Sequence, residues 1–407
     1  MEEETVRTVE EHLSAVLALA DPLPPVTATV HPDPATVLAA DVVARYPVPP
    51  FDNSAMDGFA VRSDDVGSAP CVLAVVGDVP AGTASTQTLQ PGQAIRIMTG
   101  SPLPAGADAV VPVEHTDQLP GDQPLPAQVE VRAAVPAGRH VRRRGEDIEV
   151  GAKVLAAGDP ATPAAAAAAA SIGHAQWQVR PRPRVLVVAT GAELVAPGDP
   201  IGPGQIPDSN GLLLSGLVTQ FGGEVAAVLR VGDEPQEFIE ALATAGSVDL
   251  ALTTGGVSAG AFEVVRQVTS GSVEFVKVAM QPGKPQGLGH WGMAGRRVPL
   301  LALPGNPVSV FVSAWLFARP LIAHLAGRPA QLATRQLPAL DGWRTPPGRR
   351  QYVPVAITPD GVRPAHALGS GSHAIASLHL ADGLAVVPAD VDEVHAGDVL
   401  EVIDTNA

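Results

Sequence analysis

The sequence predicts a multi-domain α/β plus β protein: a three-layer α/β domain, a β domain inserted in an extended helical domain before it, and a C-terminal β domain after it. A chain of 407 residues is too long for one ordinary core and implies two to four domains. From Arg184 to Leu325 apolar strand-like runs alternate with helical stretches, the pattern of a βαβ series. On either side of that region the apolar runs are short and broken by proline and glycine, which reads as β structure.

From the amino end, residues 4–20 place Val6, Val9, Leu13, Val16 and Leu17 at helical spacing. Pro34 to Val42 reads as a second short helix. Between Tyr46 and Arg139 the runs CVLAVVGDV, GQAIRIMTG, DAVVPVE and AQVEVRAAV suggest a small β domain. Helical character returns from Arg142 to Trp177, with Thr162 as N-cap, Pro163 at the first helical position, Gly173 at the end and alanines from 164 to 170 between them. In the α/β region RVLVVAT, EVAAVLRV, VDLALTTGG, VEFVKVAM and VPLLALPG are expected as buried parallel strands. The helices are NGLLLSGLVTQF, EPQEFIEALATA, FEVVRQVTS and PVSVFVSAWLFARPLIAHLAG. The expected divisions are 1–45 with 140–180 (extended helical), 46–139 (inserted β), 181–326 (α/β) and 327–407 (C-terminal β).

Composition narrows the function. A formal net charge of -16 argues against nonspecific nucleic-acid binding and against docking on an anionic membrane. Cys71 is the only cysteine, which excludes an internal disulfide and any multi-cysteine zinc site; its apolar neighbours place it in a core. The acidic start MEEETVRTVEEH has no secretory features, and no apolar run is read as reaching the roughly 18 residues of a membrane span. Cytoplasm is the expected location. Walker and HExxH patterns are absent.

The chemistry concentrates in the α/β region. TTGGVSAG (Thr253 to Gly260) and LPGNPVS (Leu303 to Ser309) each follow a strand, and between them VEFVKVAMQPGKP carries Lys277 and Lys284, two of only three lysines in the chain. In a doubly wound sheet such turns gather at the carboxyl edge, where backbone N–H groups attract anions. Either turn alone is equally a tight turn with no ligand; the turns together with the lysine pair indicate a phosphate or oxyanion site. Glu193, Asp233 and Glu263 recur at strand ends. They read either as helix first-turn acids or as carboxylates joined to substrate phosphate by magnesium. FDNSAMDGFAVR groups Asp52, Asn53, Ser54 and Asp57 in one loop, either site-facing or held by Asx bonds. Thr99 ends a strand, where its hydroxyl serves a ligand or a turn. RRRGED (Arg142 to Asp147) is either a basic pocket or a solvated turn.

Taken in order, FDNSAMDGFA, IRIMTGSPLPAGADAVVPVE, RRRGEDI, TTGGVS, KVAMQPGKP and LPGNPVS resemble the molybdopterin molybdenumtransferases, the bacterial MoeA type whose eukaryotic relative is the E domain of gephyrin. The likeness spans essentially the whole chain. It implies a molybdopterin-binding α/β domain, insertion of molybdate into adenylated molybdopterin with release of AMP, and help from magnesium. It also implies an elongated homodimer, with the upstream adenylyltransferase and acceptor molybdoenzymes as further partners. By this resemblance Asp57, Thr99, Glu193, Asp233, Lys277 and Lys284 are catalytic, and Glu193, Asp233 and Glu263 hold the metal. Gly255, Gly256, Ser258, Pro285, Gly305, Asn306 and Ser309 bind substrate, joined by Arg349 and Ser372 from the last domain.

The chain departs from the family pattern at three places. Gln281 stands where a lysine is usual, Ala192 where an aspartate is usual, and Glu263-Val264 where aspartate-tyrosine is usual. Two other readings follow from these facts: adenylation of molybdopterin by ATP, since TTGGVS also resembles the glycine turn of that related domain, and a noncatalytic cofactor-binding scaffold.

Overall fold

The computed structural model describes residues 6–257, 264–293, 295–346, 348–366 and 371–406. The chain divides into two compact units, one of residues 1–27, 33–39 and 178–407, the other of residues 28–32 and 40–177. The fold is the multi-domain α/β plus β arrangement that the alternation of runs predicted.

The first unit is built on a seven-stranded sheet. Its strands in chain order are β1 (Val6–Arg7), β2 (Arg184–Thr190), β3 (Glu224–Val231), β4 (Leu250–Thr254), β5 (Val273–Val278), β6 (Pro285–Met293) and β7 (Arg296–Leu303). They lie in the order β1-β5-β6-β7-β4-β2-β3. Helices α1 (Val9–Leu17), α2 (Asn210–Gln220), α3 (Pro235–Thr244), α4 (Val264–Val268) and α5 (Pro307–Leu325) accompany it. One core holds Val185, Val187, Leu214, Leu252 and Phe317, another Leu186, Val188, Phe238, Ala251 and Val265. Alternate residues of β2 thus enter different cores, as a sheet covered on both faces requires.

The sheet is mixed where the sequence suggested parallel strands only. Pairs β2/β3, β2/β4, β4/β7 and β1/β5 are parallel, but β6 runs antiparallel to both β5 and β7. PQGLGHWGM has glycines that weaken its strand signal. They are needed for close packing: a Cβ on Gly289 would come 2.2 Å from Ser272 O.

Three expected helical stretches change form. Residues 4–20 were expected as one helix, yet Val6–Arg7 is a strand and the helix starts at Val9. Thr8 and Glu11 form a capping box there: Glu11 N–H donates to Thr8 Oγ1 (3.1 Å) and Thr8 N–H to Glu11 Oε2 (2.8 Å). The Pro34–Val42 segment is extended instead of helical. Strand Asp33–Leu38 pairs Val37 with Arg180 and Leu38 with Val179, consistent with its β-branched Thr36 and Val37. Between Arg142 and Trp177 only Pro163–Ser171 is α-helical, with Thr162 Oγ1 accepting from Ala165 N–H at 3.1 Å. Glycines 145, 151 and 158 at positive φ break the preceding stretch into turns and short strands.

Helix α5 also corrects an expectation. Its 19 residues are long and apolar enough to cross a membrane by length and composition, but 89% of its 18-residue apolar window is buried inside the protein. It is the central core helix, interrupted by a π-turn at Ala314–Ala318. Helix α1 packs on it through His12, whose ring meets Phe317 edge-on at 4.6 Å.

The C-terminal β domain belongs to the first unit. Its six-stranded sheet contains Thr334–Pro338, Arg350–Thr358, Gly361–Pro364, Gly383–Val387 and Val399–Asp404, and it takes one strand, Met280–Gln281, from the lysine stretch. In the second unit a five-stranded sheet orders Gln128–Val131, Cys71–Val79, Gln93–Ile97, Gly58–Val61 and Ala109–Pro112. Cys71, the first residue of the second strand, is half-buried and packs against the core instead of lying within it; burial, with the Asp65 charge nearby, pushes its thiol up.

Burial makes His12 a probe of the core. It is 1% exposed, and desolvation lowers its pKa from 6.5 to about 4. The unfolded chain therefore takes a proton first, and stability falls as pH drops from 6.5 toward 4, by up to about 3 kcal/mol. His12→Leu is expected to flatten that acid limb in urea unfolding measured at several pH values.

Candidate functional site

Strands β2, β3, β4, β5 and β7 all finish at one edge of the sheet, and β6 starts there. A cavity of about 460 Å³ opens at this carboxyl edge. Its lining includes Glu193, Asp233, Gly255, Gly256, Pro285, Gly305, Asn306 and Ser309. Eight of the residues singled out in the sequence thus meet in one place. Ser258 and Glu263 lie outside the described residues.

The two glycine turns touch. A Cβ on Gly305 would sit 3.5 Å from Gly255 Cα, and Gly255 N–H donates to Leu303 O at 3.2 Å. Gly255 has φ +88, and a side chain there would come 2.5 Å from Thr190 O; only glycine fits both demands. Ser309, 3% exposed, lies in the first turn of α5. Asn306 sits before that helix, but its side chain does not cap it: Nδ2 donates to Ser372 Oγ at 2.9 Å, and Val308 N–H donates to Ser372 O at 3.1 Å. Ser372 thereby fastens the last domain to the rim of the cavity.

Beside the cavity lies a cluster of cations. Register places Lys277 opposite Pro285, a residue of the cavity wall. Val278 N–H donates to Lys284 O at 2.8 Å, closing the QPGK turn. Buried Gln286 holds that turn against α5, donating to Gly283 O (2.6 Å) and Ser313 Oγ (2.7 Å). Arg349 enters from the last domain, its guanidinium donating to Gln281 Oε1 at 3.4 Å. The Arg349 charge, then burial, then the Lys277 charge push the Lys284 ammonium below the ordinary lysine range. Three cations so arranged favour an anionic guest, which relieves their mutual repulsion.

The carboxylates occupy the opposite flank. Glu193 follows β2, and Asp233 follows β3, where its Oδ2 lies 3.4 Å from the Ala192 N–H. Among the described residues no three His, Cys, Asp or Glu side chains form a ready metal cluster. Two carboxylates on one flank of the cavity could hold magnesium if a substrate phosphate supplied further ligands, since that ion takes one or two carboxylates and keeps waters.

In the second unit Asp57 and Thr99 form a closed pair. The backbone N–H (2.6 Å) and hydroxyl (2.7 Å) of Thr99 both reach Asp57 Oδ1, and these bonds hold the carboxyl below its usual range. Asp57 is therefore ionised at neutral pH, and the Thr99 hydroxyl proton is already engaged. Both line a cavity of about 310 Å³ with Met56, Phe59, Met98 and Gln118. The charged run RRRGED is neither a free basic pocket nor wholly solvated. Arg143 donates to Asp52 Oδ2 and Arg144 N–H to Asp52 Oδ1, both at 2.7 Å, so the run fastens the FDNSAMDG loop.

Sequence reasoning missed Gln286 and the segment Asp208-Ser209-Asn210, which lines the main cavity. Asp208 is 7% exposed and accepts from Gly211 N–H at 2.8 Å at the start of α2. Polar helix-start residues before an apolar helix were the available signal.

Comparison with known proteins agrees with this geometry. The MoeA N-terminal region (domain I and II) matches residues 7–173, a probable molybdopterin binding domain residues 186–324, and the MoeA C-terminal region (domain IV) residues 336–405. These define a MoeA-type architecture. Molybdopterin molybdenumtransferase 2 of Mycobacterium tuberculosis is 42% identical, covering 98% of this chain and 100% of its own length; a molybdopterin molybdenumtransferase of Synechococcus elongatus is 36% identical over 90% and 91%. Two crystal structures of the molybdopterin biosynthesis MoeA protein of Pyrococcus horikoshii superpose with TM-scores of 0.81 and 0.75 at 27% and 26% identity, each covering 98% of this chain and 99% and 100% of their own. The chain belongs to the MoeA family of molybdopterin molybdenumtransferases.

The cation cluster yields a pH test. Removing the Arg349 charge lets Lys284 keep its proton to higher pH. In Arg349→Gln the alkaline limb of the pH profile for turnover is expected to move upward, even though the rate falls. An unmoved limb would show that Arg349 does not act on Lys284.

Proposed function

We propose that this transferase inserts molybdate into adenylated molybdopterin with release of AMP, completing the molybdenum cofactor. The observation that carries the reading is the cavity at the carboxyl edge, with its paired glycine turns, next to Lys277, Lys284 and Arg349. Molybdate and a pyrophosphate are both anions, and cleavage of the anhydride spreads charge over phosphorus oxygens. Preorganised cations and backbone N–H groups stabilise such charge where it develops. In a molecule of net charge -16, they also supply the local field that an anionic substrate needs.

Magnesium would be held by Glu193 and Asp233 and would neutralise charge on the substrate phosphates. Asp57, kept ionised by Thr99, fits a role in orienting a cation, a water or a donor group better than that of an acid. A homodimer is part of the proposal, with the upstream adenylyltransferase and acceptor molybdoenzymes as transient partners. A glutamine at 281 lets the neighbouring Arg349 donate to it, where a lysine would add like charge.

Purified protein with magnesium, adenylated molybdopterin and molybdate is expected to release AMP in a molybdate-dependent way and to give a product that activates a cofactor-free molybdoenzyme. ATP consumption with molybdopterin in the absence of molybdate would overturn this reading in favour of adenylation. Lys284→Ala should abolish the molybdate-dependent release while unfolding within about 1 kcal/mol of the parent, since a partly exposed cation contributes little to stability.

A further inference from the structure

We propose that Asn210 is a positioning residue that clamps the two glycine turns into one cradle. The inference rests on the reading of the cavity as the substrate site. Asn210 opens helix α2, and its side-chain nitrogen reaches across to both turns at once: it donates to Gly305 O at 2.6 Å and to Thr254 Oγ1 at 3.2 Å. Thr254 passes the link on, since its hydroxyl donates to Pro304 O at 3.0 Å. Thr190 Oγ1 secures the same turn from β2, donating to Thr254 O at 3.2 Å.

The chemistry of the partners fixes the orientation of the amide. Gly305 O can only accept, and the Thr254 hydroxyl, having given its proton to Pro304, also accepts at this contact. Both acceptors therefore demand the NH₂ end of Asn210, which spends its two protons on them. Its oxygen is left buried without a hydrogen-bond partner among the described residues. A buried unpaired acceptor carries a desolvation cost, which the two bonds on the nitrogen offset. The geometry therefore belongs to the clamp. Without it the turns are joined only by the Thr254 hydroxyl on Pro304 O and the close approach of Gly305 to Gly255, and the tie from α2 is lost.

A shift of about 1 Å in a substrate cradle costs up to roughly a hundredfold in rate. Asn210→Ala and Thr254→Val are each expected to lower kcat/KM for adenylated molybdopterin by about tenfold or more, mainly through KM. The double variant should lose less than the product of the two single losses, because the Asn210–Thr254 bond is cut in both. Thr254→Ser, which keeps the hydroxyl, should stay near the parent. Asn210→Asp, of the same shape, should be as impaired as Asn210→Ala, because a carboxylate cannot donate to Gly305. Binding of adenylated molybdopterin by calorimetry is read alongside AMP release. A parent chain that binds without releasing AMP sinks the catalytic reading, and the clamp is then judged on affinity. The clamp itself is overturned if the two single losses multiply in the double variant, if Asn210→Asp behaves as the parent, or if only the melting temperature falls.

Discussion

The site depends on one continuous run of backbone that serves two sheets. Residues Val273–Val278 form β5 of the central sheet, and two positions later Met280–Gln281 pairs in parallel with Arg350–Gln351 of the C-terminal sheet. A strand pair fixes register to within one residue. The arrangement therefore locks Lys277, the QPGK turn and Arg349 to each other through main-chain hydrogen bonds, not through flexible side chains. Buried Gln351 reinforces the junction, its amide donating to Pro346 O (2.8 Å) and Arg349 O (3.1 Å). The N-terminal residues take part as well: Val6–Arg7 covers the outer edge of β5, and Ala279 N–H donates to Arg7 O at 2.8 Å.

That junction explains how a strongly acidic molecule presents a basic face. The cations converge from three places in the sequence, at the end of β5, in the turn before β6 and in the last domain. The carboxylates Glu193 and Asp233 stand at strands β2 and β3 on the far side of the glycine turns. The order of strands in the sheet thus separates the two signs of charge across one cavity, which suits a guest carrying both oxyanions and a bound cation.

Much of this was legible in the sequence because its signals are local. Glycine turns after apolar runs, Thr162 with Pro163 at a helix start, and scarce lysines between two turns all depend on a few neighbouring residues. Illegible features depended on partners far away along the chain. Val6–Arg7 matched helical spacing but is a strand, because Thr8 begins the helix and β5 offers an open edge. Pro34–Val42 is extended because Gln176–Arg180, some 140 residues later, pairs with it. The glycines of β6 hid a strand that makes sense only when packed against Ser272 and Phe275. In the site, the glycine turns and lysines stood out by residue type, whereas Asn210 and Gln286 are common polar residues whose importance is only geometric. Gln281 and Ala192, noted as departures, acquire meaning from Arg349 and Asp233 beside them.

The sharing of Met280–Gln281 between the sheets bears on how this architecture can diverge. A terminal domain joined only by a covalent tether can be lost or exchanged without harm to its host. Here the last 75 or so residues supply the ladder on which the lysine turn is laid and share one core with the central layers through Tyr352, Leu384 and Ile403, so deletion would fray that hairpin and open the core beneath it. Segment and domain are in effect a single inherited part, free to drift in sequence only together.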